Sequence, residues 1–554
     1  MKANFSAQPE KCTYLGFDLS TQKLKAVQLN SCLDVVVATA EVQFDSDLPE
    51  FRTVNGAITG PKKNEFFGQP VMWIKAVDII MDRLVVNGGD LSSVGAIGGS
   101  AQQHGSVYWS RQGVEALRTL DPGKFLHMQI DDTAFVLNKT PIWMDGSTQN
   151  QCSEMEMAIG GSKEMVRITG SRCFPRFTGP QIRKVYQQHA RAYEDTQRIS
   201  LISSFLASIF IGDVAPIDYA DGSGMNLFDI KAKTWSKACL NACAPDLEER
   251  LSAPVKTNSF IGTICDFFVQ RFGMPANCKV CAFTGDNPSS LSGMLVEKNW
   301  LAVSLGTSDT VMMTLKQQAL LEDAHVLCHP TEDNLFMGLL CFRNSSLVRD
   351  GMKRSEATDN WNTFNELLDS TPRGNYGNMA LHFPTKEIVP SVKGTLRWNK
   401  DINAVSTTAS TGVLKFSSPQ TEIRALIEGQ MLHRLSVAID MGFNFGANTK
   451  IIATGGASIN KSILQVIADV FNSPVYVQKT SSEAALLGAA YRAGYMHYLE
   501  RCTDDSPLSY SDFISPYILN HLTHMCQPSK DSNGIYTPML ERIRSMIQIL
   551  QKTN

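Results

Sequence analysis

The chain has 554 residues, with 51 Lys and Arg against 54 Asp and Glu, a formal charge of −3, 43% hydrophobic residues and 19% charged. One hydrophobic core rarely grows past about 250–300 residues, so two domains of about 250 residues each, or three smaller ones, are expected. The near-neutral balance excludes the basic surplus of a nucleic-acid binder, and residues 201–211, broken by Ser203, Ser204 and Ser208, fall short of the roughly 20 apolar residues that cross a bilayer.

Thirteen cysteines, an odd number without a framework, suggest reduced thiols. The polar residues before Thr13 show no apolar signal core, so a cytoplasmic (cytosol) location is expected. Cys239 with Cys243 and Cys278 with Cys281 have spacings that could hold a metal. Packing is the better reading, because Cys281 opens a strand and Cys239 lies in a helix-like segment.

Residues 14–27 read as strand, tight turn and strand, with Asp18, Ser20 and Thr21 at the turn. Residues 44–53 look loop-like. Residues 69–86 form a helix with Trp73, Val77, Ile80 and Leu84 at core spacing. A strand over residues 94–99 ends in Gln102-Gln103-His104, and two amides with an imidazole suit hydroxyl recognition, because they offer donors and acceptors without full charge. Residues 111–139 look like a surface insertion, and PIWMDGS (141–147) reads as a buried strand. GSRCFPRFTGP (170–180) carries Arg172 and Arg176, either of which could reach a ligand oxygen. PIDYADGSGMN (216–226) reads as a turn joining elements.

At residues 280–283 an apolar strand stops at Thr284-Gly285, so the backbone turns and lifts Asp286 and Asn287 from the strand end. A short helix and a second strand then lead into Leu305-Gly306-Thr307-Ser308-Asp309-Thr310, whose N–H groups and hydroxyls can hold phosphate oxygens. This second strand-turn-strand mirrors residues 14–27 and suggests two similar halves. A carboxylate such as Asp18 beside phosphates needs a cation, and Mg2+ with its waters is expected. Residues 347–378 are polar, with Trp361 as a packing or stacking surface. Ile423, Ile427, Met431, Leu435 and Ala438 mark a long amphipathic helix, and residues 450–454 a strand into Gly455-Gly456-Ala457-Ser458-Ile459-Asn460. A strand that ends in a glycine pair and opens a helix lets a nucleotide approach the backbone. Residues 482–493 read as a small-residue helix, residues 507–534 as loop-rich, and the last helix is expected to begin at Thr537-Pro538.

In this order GFDLSTQKLK, GSAQQHGSVYW, GDN, SLGTSDT and ATGGASIN resemble the FGGY carbohydrate kinases over residues 14–492. The resemblance implies an α/β fold of two duplicated ribonuclease H-like domains, of the actin, hexokinase and Hsp70 type, with a nucleotide cleft between them. It implies residues 1–290 as the sugar and base domain and 291–554 as the ATP domain. By the same resemblance Asp286 is the general base and Asn287, His104 and Arg176 contact the sugar, with Gln103 added from adjacency. Gly306 and Thr307 lie over the ATP phosphates, Gly455, Gly456, Ala457 and Asn460 belong to the adenosine motif, and Trp361 neighbours adenine. Ser20 and Thr21 fall on the first phosphate turn, with Asp18 beside Mg2+. The implied partners are ATP and a small sugar, with no nucleic acid and no membrane. Glycerol kinases carry Arg-Glu where this chain has Gln103-His104, which favours a ketose, with D-xylulose expected and another pentulose or polyol, such as ribulose or glycerol, as the alternative. An actin- or Hsp70-like ATPase or a silent sugar sensor are the other classes.

Overall fold

The computed structural model describes residues 12–294, 296, 299–399, 404–407, 415–478, 483–503 and 506–553. The leader reading on residues 1–11 and the expected helix start at Ser482 lie outside them.

Two sheets are built to one plan. In the first, the strands lie in the order Phe260–Thr263, Lys279–Cys281, Val94–Ala101, Thr13–Leu19, Lys23–Leu29, Val36–Gln43. In the second, six strands lie in the order Leu522–Cys526, Val475–Gln478, Lys450–Thr454, Trp300–Leu305, Asp309–Leu315, Phe336–Phe342. Successive pairs run antiparallel, parallel, parallel, antiparallel, antiparallel in both. Over these six strands the duplication expected from the two hairpins is a repeat; the seventh strands differ, His325–Cys328 extending the edge of the second sheet and Thr284–Gly285 pairing with Val94–Ala101 in the first.

The chain divides into two compact units. The first comprises Met1–Leu295, Val326–Asn334 and Glu483–Ile518, and the second Val296–His325, Leu335–Ser482 and Leu519–Asn554. This grouping differs from a single division at 290/291, and the reason lies in the Ala484–Arg501 helix. Alternate residues of Thr13–Leu19 face opposite sides of the sheet. Leu15, Phe17 and Leu19 join a core with the Ile202–Ile211 helix, where Phe17 meets Phe210 at 4.7 Å. Tyr14 joins a second core with Leu486, Leu487 and Ala490. Gly16 lies on that second side, and a Cβ there would stand 2.6 Å from the Leu486 carbonyl, so a bare backbone lets the helix seat against the strand.

Several local expectations are corrected. Residues 111–139 are no surface insertion: Val114, Leu117, Leu126, Ile130, Ala134 and Phe135 enter the first core. The segment is also tied down by polar bonds, since the buried Asp78 carboxylate accepts the N–H groups of Leu126 (2.9 Å) and His127 (3.2 Å). Short helical turns at Phe44–Asp47 and Pro49–Phe51 replace the expected loop. Residues 141–147 are not a regular strand, because only Thr140–Pro141 pairs and Asp145 turns the chain by accepting from Ser147 N–H at 2.9 Å. Residues 507–534 contain the Tyr510–Ile518 helix and the Leu522–Cys526 strand.

The last helix runs Ser532–Thr553 with Pro538 inside it. Its buried stripe Tyr536, Met539, Ile543, Met546 and Leu550 spans the proline, so tertiary burial outweighs the local stop signal. The Pro419–Asp440 helix is buried around its circumference rather than amphipathic. Its interior charges are paired, Glu422 with Arg397 at 2.9 Å and Arg424 with Glu428 at 2.8 Å, which makes a polar helix tolerable inside a core.

Candidate functional site

In the first unit the site grows from three neighbouring strand ends. Asp18 lies opposite Ser100 in the parallel pair, and Thr284 and Gly285 lie opposite Ser100 and Ala101. Gly285 caps the Asp286–Gly293 helix, so Asp286 is its first residue. Ser100 and Ser20 donate to the buried Asp18 carboxyl at 2.8 and 2.6 Å. Burial nevertheless raises the Asp18 carboxyl above its ordinary value.

The Asp286 carboxyl is pushed up to about 7, first by burial and then by the negative charge of Asp18. Oδ1 accepts from the Asn287 backbone N–H at 2.9 Å and from its Nδ2 at 3.2 Å. These bonds and the helix N-terminus favour the charged form, yet desolvation dominates. The outcome is a carboxyl poised between acid and base near neutrality.

Gln103 and His104 stand beside it on the loop after Val94–Ala101. The Gly105 N–H donates to the Gln103 carbonyl at 2.9 Å, and His104, between them, has φ 69°, a left-handed conformation unusual outside glycine. The His104 ring stacks on Phe177 at 4.2 Å, and its Nδ1 bonds the Gly224 carbonyl at 2.9 Å. A carbonyl only accepts, so Nδ1 carries the proton. Burial, then the charge of Arg176, pushes the His104 pKa down to about 3. The ring is neutral and presents Nε2 as an acceptor.

Arg176 lies over Phe174 at 5.4 Å and over Phe177 at 5.8 Å, which brings its charge beside His104; Arg172 stacks on Phe174 at 5.1 Å. Thr21 is turned to another task, its Oγ1 accepting from Trp143 Nε1 at 2.8 Å. Asp221 was missed. It lies in PIDYADGSGMN, is 1% exposed and bonds Gln103, and the signal the sequence offered was an Asp within a Gly- and Ser-rich turn.

In the second unit a cavity of about 770 Å3 is lined by Gly306, Thr307, Trp361, Gly456, Ala457 and Asn460, a volume that suits a small ligand. Arg349, Asp350, Asn365 and Lys461 also line it and had no local motif to mark them. Gly455 is not a lining residue. It has φ 81°, and a Cβ would stand 2.8 Å from the Leu305 backbone, so its own chain needs the glycine. Asn460 caps the Lys461–Phe471 helix by accepting from Ile463 N–H at 3.2 Å, and its Nδ2 donates to Asn365 at 2.9 Å. Trp361 opens the Trp361–Asp369 helix with Lys353 Nζ 5.3 Å over its ring.

Models of the FGGY family of carbohydrate kinases match this chain twice, the N-terminal domain over residues 127–293 and the C-terminal domain over residues 301–497. The chain belongs to the FGGY family of carbohydrate kinases. Among FGGY relatives, a xylulose kinase of Rattus norvegicus is 46% identical over 539 residues, 97% of each chain. Xylulose kinase 2 of Arabidopsis thaliana is 42% identical over 500 residues, 89% of this chain and 88% of that one. The fold matches a xylulose kinase from Rhodospirillum rubrum with a TM-score of 0.76 at 14% identity, covering 98% of this chain and 99% of that chain. It also matches a Plasmodium falciparum glycerol kinase with ADP, with a TM-score of 0.73 at 15% identity, covering 97% and 98%. The FGGY chain is thus an enzyme of two repeated α/β domains whose reaction class is phosphoryl transfer to a carbohydrate.

Proposed function

We propose that this chain transfers the γ-phosphoryl group of ATP to the 5-hydroxyl of D-xylulose, giving D-xylulose 5-phosphate. The names of the relatives, similar along nearly the whole chain, support the sugar. The observation that carries the chemistry is the Asp286 carboxyl with its pKa pushed up to about 7. A base is most effective when its pKa lies near the working pH, and such a group contributes roughly 10²–10⁴ in rate. Asp286 takes the hydroxyl proton as the sugar oxygen attacks phosphorus in line. Asn287 and Gln103 orient the base and the sugar, Nε2 of His104 accepts from a sugar hydroxyl, and Arg176 donates to a sugar oxygen.

On the nucleotide side, N–H groups and hydroxyls at Gly306 and Thr307 receive the phosphates, whereas at the first turn the Ser20 hydroxyl is engaged by Asp18 and that of Thr21 by Trp143. Gly456, Ala457 and Asn460 line the adenosine site, with Gly455 supporting their turn and Trp361 beside the adenine. The base and sugar residues belong to residues 1–290 and the adenosine residues to 291–554.

Asp18 fits a Mg2+ neighbour, because its carboxyl and that of Asp286 are buried within range of each other's charge and both are raised. Held beside Asp18, Mg2+ would supply neutralising charge for the phosphates. A cytoplasmic location accompanies this reading. Its support is the odd number of cysteines, thirteen, scattered along the sequence without a framework.

The test is ADP release from ATP with Mg2+ in the presence of D-xylulose, D-ribulose, glycerol or no sugar. Strong stimulation by xylulose alone is expected. Preference for another polyol would reassign the pocket, and sugar-independent hydrolysis would remove the kinase reading.

A further inference from the structure

The Gln103 side chain is held at both ends. Its Nε2 donates to Oδ1 of Asp221 at 3.2 Å, and its Oε1 accepts from Nδ2 of Asn287 at 2.9 Å. That Asn287 amide also donates to Oδ1 of Asp286 at 3.2 Å. At the far end, Ser203 Oγ donates to Oδ2 of Asp221 at 2.5 Å. A continuous line of hydrogen bonds therefore runs Ser203, Asp221, Gln103, Asn287, Asp286, and its first three members are 1%, 1% and 3% exposed.

We propose that Asp221 is a positioning residue for Asp286, acting by fixing which end of the Gln103 amide faces Asn287. An amide is nearly symmetric in shape but opposite in hydrogen-bonding sense at its two ends. With Gln103 flipped, two acceptors would meet at Asp221 and two donors at Asn287. Asn287 would then have to turn its own oxygen toward the Asp286 carboxylate. Asp221 blocks this cascade because it offers Gln103 an acceptor oxygen.

Its placement is itself enforced. Asp221 sits in the Tyr219–Gly222 turn, which Asp218 caps by accepting from the N–H groups of Ala220 at 3.1 Å and Asp221 at 3.4 Å. Asp218 also accepts from the hydroxyl of Thr284, in the strand that leads into Asp286, at 2.8 Å. The glycine at 285 makes room for the arrangement, since a Cβ there would run into the Gln103 side chain and lie 2.7 Å from Oδ1 of Asp221.

The inference rests on Asp286 being the base, so the wild-type chain is assayed first: absence of sugar-stimulated ADP release would defeat the kinase reading before any variant is compared. Gln103→Glu puts a carboxylate oxygen against Asp221 and should lower kcat about 10²-fold with the KM for ATP unchanged, the scale of a misplaced catalytic geometry. Asp221→Asn retains an acceptor for Gln103 and should stay within about tenfold of wild type. In the double variant the new amide at 221 can donate to the new carboxylate at 103. Its kcat should exceed that of Gln103→Glu by at least about tenfold, a rescue that loss of packing does not produce. A double variant as poor as or poorer than Gln103→Glu overturns the inference, as does wild-type kcat in Gln103→Glu. If Gln103→Glu does not fold, Asp221→Ala replaces it: about 10²-fold loss in kcat at unchanged KM for ATP is expected, and wild-type kcat overturns.

Discussion

Arg349 grips the Asp309 carboxylate with two parallel hydrogen bonds, Nη1 to Oδ2 at 2.9 Å and Nη2 to Oδ1 at 2.8 Å, in a fully buried pair. Arg434 adds a third bond to Oδ2 at 2.9 Å, and Ser345 Oγ accepts the Asp309 N–H at 2.9 Å. Burial would raise this carboxyl, but the guanidinium groups of Arg349 and Arg434 outweigh it and hold it below the usual carboxylate range. The hairpin that carries Gly306 and Thr307 is therefore clamped to the Ser346–Glu356 and Pro419–Asp440 helices.

Asp309→Asn leaves two buried guanidinium groups without their counter-charge. Breaking a buried pair from one side costs about 3–5 kcal/mol. The urea midpoint should fall accordingly and the KM for ATP should rise, because Arg349 lines the cavity that Gly306 and Thr307 share. An unchanged midpoint would show that the clamp carries no stability.

Asp286→Asn should bind ATP normally and lose about 10²–10⁴ in kcat. In the wild-type chain kcat should rise with pH around a midpoint near 7, since the carboxylate must be ionised to take the proton. Turnover independent of pH between 6 and 8 would argue against Asp286 as the base.

The same group gives a stability signature. Its folded pKa is raised above the ordinary 3.8, so the folded state holds the proton more tightly than the unfolded chain. The stability this lends is complete below the unfolded value and is lost as pH rises through about 7. Asp286→Asn removes the dependence, so the variant should melt above wild type at pH 8 and should lose that advantage in acid. Equal melting points at pH 8 would contradict the buried carboxyl.

His104→Ala removes the neutral acceptor and should raise the KM for the sugar well above any change for ATP, with His104→Gln keeping part of the affinity through its amide oxygen. Equal changes for sugar and nucleotide would remove the direct sugar contact. Trp361→Ala should do the reverse, raising the KM for ATP about three- to tenfold, the scale of one aromatic contact, with Trp361→Phe intermediate.

How far the sequence could be read depends on the range of the forces involved. Asp18, Gln103, His104, Asp286 and the Gly306–Thr307 turn were legible because each sits where a strand gives way to a turn, a transition written in neighbouring residues. Arg349 and Asp350 lie on the Ser346–Glu356 helix inside a segment that reads only as polar, and nothing local says that one face of it lines a cavity. The burial of residues 111–139, the proline inside the last helix and the polar interior of Pro419–Asp440 were misread for a related reason, since distant partners decide them.

By itself the sequence determined the repeated strand-turn-strand units, because hydrophobic period and turn chemistry act over a few residues, and its ordered motifs carried the resemblance to the kinase family. Only the tertiary structure decided the state of the groups. It set the Asp286 carboxyl near 7 by burying it beside Asp18, made His104 a neutral acceptor against Phe177 and Gly224, and joined Asp221 to Asn287 through Gln103. Desolvation and charge depend on what folds nearby in space, and no run of neighbouring residues encodes that.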